Sequence, residues 1–387
     1  MIPALSQNSR YLIDVLRAVL EGTKAPLPYE GVDLGGLFKA ADVHKLAPMV
    51  YHGLYGSGLD EAGLEPFREA HRRNMILSVK QEMEVKRLSE LFDKAGMDHC
   101  FLKGCHTRKL YPDPSMRSMS DIDVLVRRGC REKAKELLES GGYECIHYDI
   151  SDDDKYRRGG VCVEIHDGLD ADGLKNSSYY DDPWRLTVHV SGHEYRLAPV
   201  HEYLYAAAHA MKHFMNSGAG LRFLVDIRLY MTKSAADRGE VERCAREMGI
   251  DKFLHCMEKT ASAAFSDGEF DEDSALVFMF MLENGIGGSG VTNEASKSIR
   301  TVGGKSRVSR GQYHMRRLFP SFTQMKRRDP ILKKAPILLP FMYVRRWFQL
   351  LFSRRERLKA KLSTASEVDK EQLEKLCRIY EIAGVSK

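Results

Sequence analysis

Two aspartates two residues apart, at the head of an apolar strand, constrain this chain more than any other feature. They lie in Arg117-Ser118-Met119-Ser120-Asp121-Ile122-Asp123-Val124-Leu125-Val126. Ile122, Val124 and Val126 alternate with Asp121, Asp123 and Leu125, and period-2 alternation through a β-branched run predicts a strand. Residues two apart on a strand project from one face. Both carboxylates therefore point the same way, and the opposite face is apolar. Two like charges so close repel unless a cation lies between them. A hard divalent ion, held by one or two carboxylates together with substrate phosphates, is the common resolution. The pattern points to metal-assisted phosphoryl or nucleotidyl transfer; the alternative reading of Asp121 and Asp123 is a solvated strand end. Because losing one carboxylate relieves repulsion, neither Asp121→Asn nor Asp123→Asn is expected to lower metal-free stability.

The flanking segments extend this reading. His99-Cys100-Phe101-Leu102 predicts a short strand that runs into Lys103-Gly104-Cys105 and then a helical turn from His106 to Tyr111. A glycine at such a junction lets the backbone approach a ligand closely, and free amides at a helix N-terminus favour phosphate. Lys103 and Arg117 add positive charge on either side, although Lys103 reads equally well as a solvent lysine before a turn. Downstream, Val161, Val163 and Ile165 alternate with Cys162, Glu164 and His166, so Glu164 and His166 share a polar face. If this strand lies beside the first, three carboxylates converge, enough for a two-metal site. Glu164 also reads as an ordinary exposed strand residue, and His166 more readily as a satisfied structural histidine than as a ligand. Asp167 is the next candidate, disfavoured because alternation puts it on the apolar face.

Taken in order, Leu102-Lys103-Gly104, Leu110-Tyr111-Pro112-Asp113-Pro114 and Arg117 to Asp123 resemble the nucleotidyltransferases of the DNA polymerase β-like superfamily. The resemblance is to a bacterial branch with a Lys-Gly turn, a Tyr-Pro-Asp segment and an Arg-x-x-x-Asp-x-Asp strand. That branch also carries a Glu-x-His strand, a His-x-x-x-His helix and an Arg-x-x-x-Asp pair. Here these are Glu164-Ile165-His166, His209-Ala210-Met211-Lys212-His213 and Arg222 with Asp226. The resemblance covers Leu91 to Tyr230 and implies an α+β fold, a small mixed-sheet core flanked by N-terminal and C-terminal helical lobes. It implies that Asp121 and Asp123 bind Mg²⁺ or Mn²⁺ and that Glu164 is the third acid, aligning or activating an acceptor hydroxyl. Lys103, Gly104, Cys105, Arg117 and Ser120 are its implied nucleotide contacts. His166, His209, Lys212, His213, Arg222 and Asp226 are its implied surroundings of the site. An NTP is the implied substrate. Whether it is ATP or another, and whether the acceptor is protein, RNA or a small molecule, stays open. The chain departs from the wider superfamily in having Gly104-Cys105 where Gly-Ser or Gly-Gly is usual.

With 387 residues, 43% of them hydrophobic, the chain can bury a large core in two or three lobes. Its pattern divides it into an N-terminal helical lobe (1–95), an α/β core (96–198), a helical domain (199–290) and a basic C-terminal helical region (291–387). Within the first lobe, apolar spacing predicts helix from Leu12, from Leu34 to Tyr55 and from Glu65 to Ala95. Ser151-Asp152-Asp153-Asp154 reads as a solvated turn, and Trp184 to Val190 with Glu194 to Leu197 as a hairpin. His209 and His213 have zinc-compatible spacing, but no Glu follows the first His as in zinc hydrolases, so a polar helix face is preferred. Arg222 and Asp226 read as an ordinary helix pair. Gly303-Gly304-Lys305-Ser306 has Ile299 where a P-loop has its first glycine and follows no strand, so it reads, with Gly285 to Gly290, as a flexible connection.

Eight cysteines without Cys-x-x-Cys spacing read as reduced thiols. With no signal-peptide pattern and no apolar run near the ~20 residues a spanning helix needs, they predict a cytoplasmic protein. The charge is uneven: from Lys297 to Ala360, 18 Lys and Arg stand against 2 acids, a local +16 within a net +5. Such asymmetry points to a polyanionic contact through 297–360. Ile337 to Phe352 is apolar but interrupted by Arg345 and Arg346. It predicts a helix packed on the helical lobe through Leu338, Phe341, Trp347 and Leu351, preferred over one lying on an anionic membrane. Ser366 to Ile382 predicts a last amphipathic helix on Leu373, Leu376 and Ile379. Three function classes follow: a metal-dependent nucleotidyltransferase, a lapsed site kept as a binding module, and a nucleic-acid or anionic-surface binder. Intact Asp121, Asp123 and Glu164 favour the first, and the want of an aromatic stacking series weakens an RNA reading.

Overall fold

The computed structural model describes residues 5–149, 153–169, 174, 176–216, 218–266, 268–286, 288, 296, 322, 325, 329, 331–348 and 370–385. Strands β1 (His99–Phe101), β2 (Asp121–Val126), β3 (Glu144–His147), β4 (Asp153–Arg158), β5 (Val161–His166), β6 (Thr187–Ser191) and β7 (Glu194–Leu197) form one mixed sheet. Its order is β3-β4-β5-β2-β1-β7-β6. Helices α1 (Gln7–Glu21), α2 (Leu34–Val43), α3 (Ala47–Leu54) and α4 (Glu61–Lys94) precede it, and α5 (Gly104–Thr107) and α6 (Arg131–Ser140) are inserted in it. Helices α7 (Pro199–Asn216), α8 (Leu221–Lys233), α9 (Arg238–Met248), α10 (Asp251–Phe265) and α11 (Glu272–Asn284) follow. Three more described helices, Ile331–Lys334, Leu339–Phe348 and Lys370–Ile382, come after them. The chain is α+β, with helices flanking the sheet segment on both sides in sequence.

The alternation of β2 sorts its two faces. Ile122, Val124 and Val126 join Val163 and Ile165 of β5 under Leu88 and Phe92 of α4 and Leu138 of α6. On the other face Leu125 and Cys100 enter a second, larger core shared with α1–α3 and α7–α11. Arg17 of α1 donates to the Ala264 carbonyl at 3.0 Å, tying the first helix to α10. The last helix buries Leu376, Ile379 and Tyr380, and the Tyr380 hydroxyl donates to the Met215 carbonyl at 3.1 Å. The hairpin expected after Trp184 forms as β6 and β7.

Three expectations change. The helix foreseen from Leu34 to Tyr55 breaks at His44-Lys45-Leu46, where Lys45 has φ +58°. Pro48 opens α3, a position where a missing N–H costs nothing. The break lets buried His44, its pKa lowered to about 4 by burial, accept the Leu221 amide at 3.2 Å through Nδ1. Second, Asp153 and Asp154 belong to β4 and not to a solvated turn. Asp154 is fully buried because Arg131 Nε donates to it at 2.7 Å and the Asp149 amide at 2.8 Å; pairing, which sequence does not display, removes the cost of burying its charge. Third, Phe341 does not pack: it is 71% exposed. Leu351, Gly303 to Ser306 and most of 297–360 lie outside the described residues.

Removing one partner of a buried ion pair strands the other, at about 3 kcal/mol or more. Asp154→Ala is therefore expected to lower urea stability by about 3 kcal/mol, whereas Arg72→Ala, which breaks an exposed pair with Glu69, costs under about 1 kcal/mol. Equal losses in the two variants would contradict the role given to Asp154.

Candidate active site

Parallel pairing of β2 with β5 sets Asp123 opposite Glu164, Asp121 opposite Cys162 and Leu125 opposite His166. Side chains paired across adjacent strands lie on one face, so Asp121, Asp123, Glu164 and His166 share a surface. Asp123 is only 4% exposed. Its Oδ1 accepts from Lys103 Nζ at 2.6 Å and lies 2.9 Å from His166 Nε2. Lys155 Nζ donates to Glu164 Oε1 at 2.5 Å. Asp123, Glu164 and His166 each offer a ligating atom, all within 4.8 Å of one another. Among the described residues this is the one such group of three.

The charges divide unevenly. Burial, then the neighbouring Asp123 and Glu164 carboxylates, push the Asp121 pKa up to about 6. Burial would raise Asp123 as well, but the hydrogen bond from His166 and the Lys103 ammonium outweigh it and bring the group down to about 2. Burial alone would lower Lys103, yet Asp123 holds its pKa above the usual lysine value. Asp123 is thus answered by two cationic or donor groups, while Asp121 carries most of the unrelieved repulsion.

Lys103 has φ +49° and ψ −117°, a region that non-glycine residues avoid and that clusters at functional sites. The next residue, glycine, lets two side chains approach closely. A Cβ on Gly104 would lie 2.5 Å from Met119 Sδ and 3.0 Å from Arg117 Nη1. The turn offers fewer amides than its sequence suggests: Cys105 donates to the Leu102 carbonyl and His106 to that of Lys103, leaving the Gly104 amide. The Cys105 side chain faces the core beneath the sheet, where burial pushes its thiol up to about 12. It does not take the place of a serine hydroxyl at the turn. Ser120, at the strand head, donates to Asp121 Oδ1 at 3.3 Å.

The loop from Tyr111 to Ser120 is fixed from both sides. Gln81 of α4 donates to the Met119 carbonyl at 2.8 Å, and Asn74 to that of Ser115. From α8, Asp226 accepts Arg117 Nε at 2.8 Å, Arg117 Nη2 at 2.9 Å and the Tyr111 hydroxyl at 2.8 Å. Arg222 Nη1 donates to the Ser118 carbonyl at 3.1 Å. Arg222 and Asp226 are therefore not an ordinary helix pair; each reaches across to the loop. Both side-chain hydrogen bonds described for Arg117 go to Asp226. On α7 the rings of His209 and His213 stand 4.6 Å apart, with His213 5.2 Å from Phe223. Burial, then the Lys103 charge, hold His209 well below the usual imidazole range. His209 and His213 belong to no group of three metal-ligating side chains among the described residues, and Lys212 beside them is half-buried.

A family model described as an uncharacterised nucleotidyltransferase matches residues 30–266, more than half of the chain. The chain belongs to that nucleotidyltransferase family. No curated protein and no solved structure matches it. The family's match spans the sheet, the α4 and α8 residues that grip the loop, and every candidate site residue.

Lys155 of β4 adds a site residue that the sequence pattern leaves unassigned, since it follows the Ser151 to Asp154 stretch that reads as a turn. The signal was present. Gly159 and Gly160, at φ +57° and +82°, make the two-residue turn that fixes hairpin register. Arg158 then pairs with Val161, and counting back puts Lys155 opposite Glu164.

The pKa shifts set opposite signs for the two aspartates. The folded value of Asp121, about 6, lies above the free value of about 3.9. Its contribution is favourable below pH 4 and is lost as pH rises from 4 to 6. The folded value of Asp123, about 2, lies below it, so its contribution is present above pH 4 and lost as pH falls from 4 to 2. In EDTA at pH 8, Asp121→Asn is expected to raise the unfolding midpoint. Asp123→Asn is expected to cost about 2 kcal/mol, contrary to the symmetric expectation from repulsion alone, because it strips Lys103 and His166 of their partner. Thermal unfolding of both variants between pH 4 and 8 checks the pair; shifts of the same sign would refute the division of charge.

Proposed function

We propose that this member of the family moves the nucleoside monophosphate of an NTP onto a hydroxyl acceptor with the help of a divalent ion. The observation that carries the reading is the pairing of Asp123 with Glu164 across two adjacent parallel strands, their ligating atoms and that of His166 within 4.8 Å of one another and Asp121 on the same face. The donor set fits Mg²⁺ or Mn²⁺: carboxylate oxygens are the ligands these ions take, and an Asp121 pushed up to about 6 marks negative charge that a divalent cation would answer. Held by Asp121, Asp123 and Glu164, such an ion would supply charge neutralisation at the reacting phosphoryl group.

The chain's own residues would do the rest. Glu164 aligns the acceptor hydroxyl and takes its proton as the new O–Pα bond forms; the bond between Pα and the bridging oxygen breaks, and pyrophosphate leaves. His166, 2.9 Å from Asp123 Oδ1, orients that carboxylate. Lys103 and the Gly104 amide face the triphosphate, and Ser120 sits at its edge. Arg117, Arg222 and Asp226 act by holding the loop that aims Asp121, with His209, Lys212 and His213 as the facing wall. In this reading 96–198 carries the chemistry, 199–290 supplies the clamp, and the basic stretch 297–360 offers a polyanion contact.

Incubation with each α-labelled NTP and Mg²⁺ or Mn²⁺, with label followed on protein, RNA and small molecules, tests the reading. Asp123→Asn and Glu164→Gln are each expected to cut transfer at least about a thousandfold, equivalent to about 4 kcal/mol of transition-state stabilisation. Lys103→Ala is expected to raise the KM for NTP and lower kcat. Full transfer by either carboxylate variant would rule out the assignment.

A further inference from the structure

The helix Leu339–Phe348 presents an apolar edge to solvent. Phe341 is 71% exposed and Val344 46%, and residues three apart on a helix share a side. Ile337, one turn earlier, is 84% exposed. Arg345, one turn beyond Phe341, is also exposed; its ion pair with Asp329, at 3.6 Å, is a loose surface contact. From Ile331 to Phe348 the sequence holds Lys333, Lys334, Arg345 and Arg346 and no acid. Leu332 and Met325 are fully buried, in contrast with the outward edge.

An exposed apolar edge on a segment of basic sequence, with Asp329 the acid described against it, is matched best by a lipid interface carrying negative charge. A nucleic acid would satisfy the cations but give nothing to Ile337 and Val344, which have no ring to stack on a base. A protein groove would need acids facing Arg345 at a fixed geometry, which a fluid anionic interface does not. No described helix is long and apolar enough to cross a membrane, so contact would be along the surface. We propose that the helix Leu339–Phe348 docks this protein onto anionic lipid, with Ile337, Phe341 and Val344 entering the interface and Arg345 meeting the headgroups.

The test uses the full chain with vesicles of phosphatidylcholine alone or with phosphatidylglycerol, read by co-sedimentation. Binding is expected to the anionic vesicles only, weakening as salt rises. Phe341→Asp is expected to reduce it at least about tenfold, and Arg345→Glu several-fold, each basic residue near such a surface being worth roughly fivefold. Both positions are exposed and far in sequence from the carboxylates, so the unfolding midpoint should match the parent. No binding to anionic vesicles would overturn the proposal. So would binding that Phe341→Asp leaves unchanged, which is bulk charge attraction. Tight binding of single-stranded RNA that anionic vesicles do not displace and Phe341→Asp does not weaken would overturn it in favour of nucleic acid.

Discussion

Parallel pairing of β2 with β5 forces Asp123 against Glu164 with Asp121 beside them, and most of the surrounding structure answers the charge this register concentrates. Three cationic or donor groups come from three different elements: Lys103 from the turn after β1, His166 from β5 and Lys155 from β4. None of them reaches Asp121 by a hydrogen bond among those described, and that carboxyl is the one driven up to about 6. A fold seeking stability alone would place a residue without charge there. A charge kept near neutral pH in a crowded, half-buried position is in line with the proposed ion site.

The clamp around the strand head has a related logic. A loop that aims a carboxylate within a fraction of an ångström needs its own carbonyls and side chains held. Here α4 supplies Asn74 and Gln81, and α8 supplies Arg222 and Asp226, each bonded to the loop between Tyr111 and Ser120. Helix α4 also buries apolar side chains in both cores, and α8 does so in the larger one. Packing of the helical segments is therefore coupled to the position of Asp121. The chain's membership of a nucleotidyltransferase family agrees with the demand such chemistry makes on placement.

What the sequence made legible was local. Alternation in β2 and β5 gave the strands, their apolar faces and the shared side of Asp121 and Asp123. Pairings at long range were not legible. Arg117 meets Asp226 across 109 residues, so a helix pair between Arg222 and Asp226 looked sufficient. Asp154 looked solvated because nothing nearby showed that Arg131 would bury it. The Cys105 amide looks available from its place after Gly104, but it already donates to the Leu102 carbonyl. Phe341 looked like core because apolar residues usually are; its exposure depends on neighbours that spacing does not encode.

The central claim is that Asp121, Asp123 and Glu164 form one divalent-ion site. Mn²⁺ binding followed by electron paramagnetic resonance tests it most directly, with the parent compared to Glu164→Gln at pH 8, in the presence of an NTP analogue that cannot be cleaved. The expected result is saturable Mn²⁺ binding by the parent, lost or weakened about tenfold or more in Glu164→Gln. Equal binding by the two proteins, or none by the parent, would contradict it.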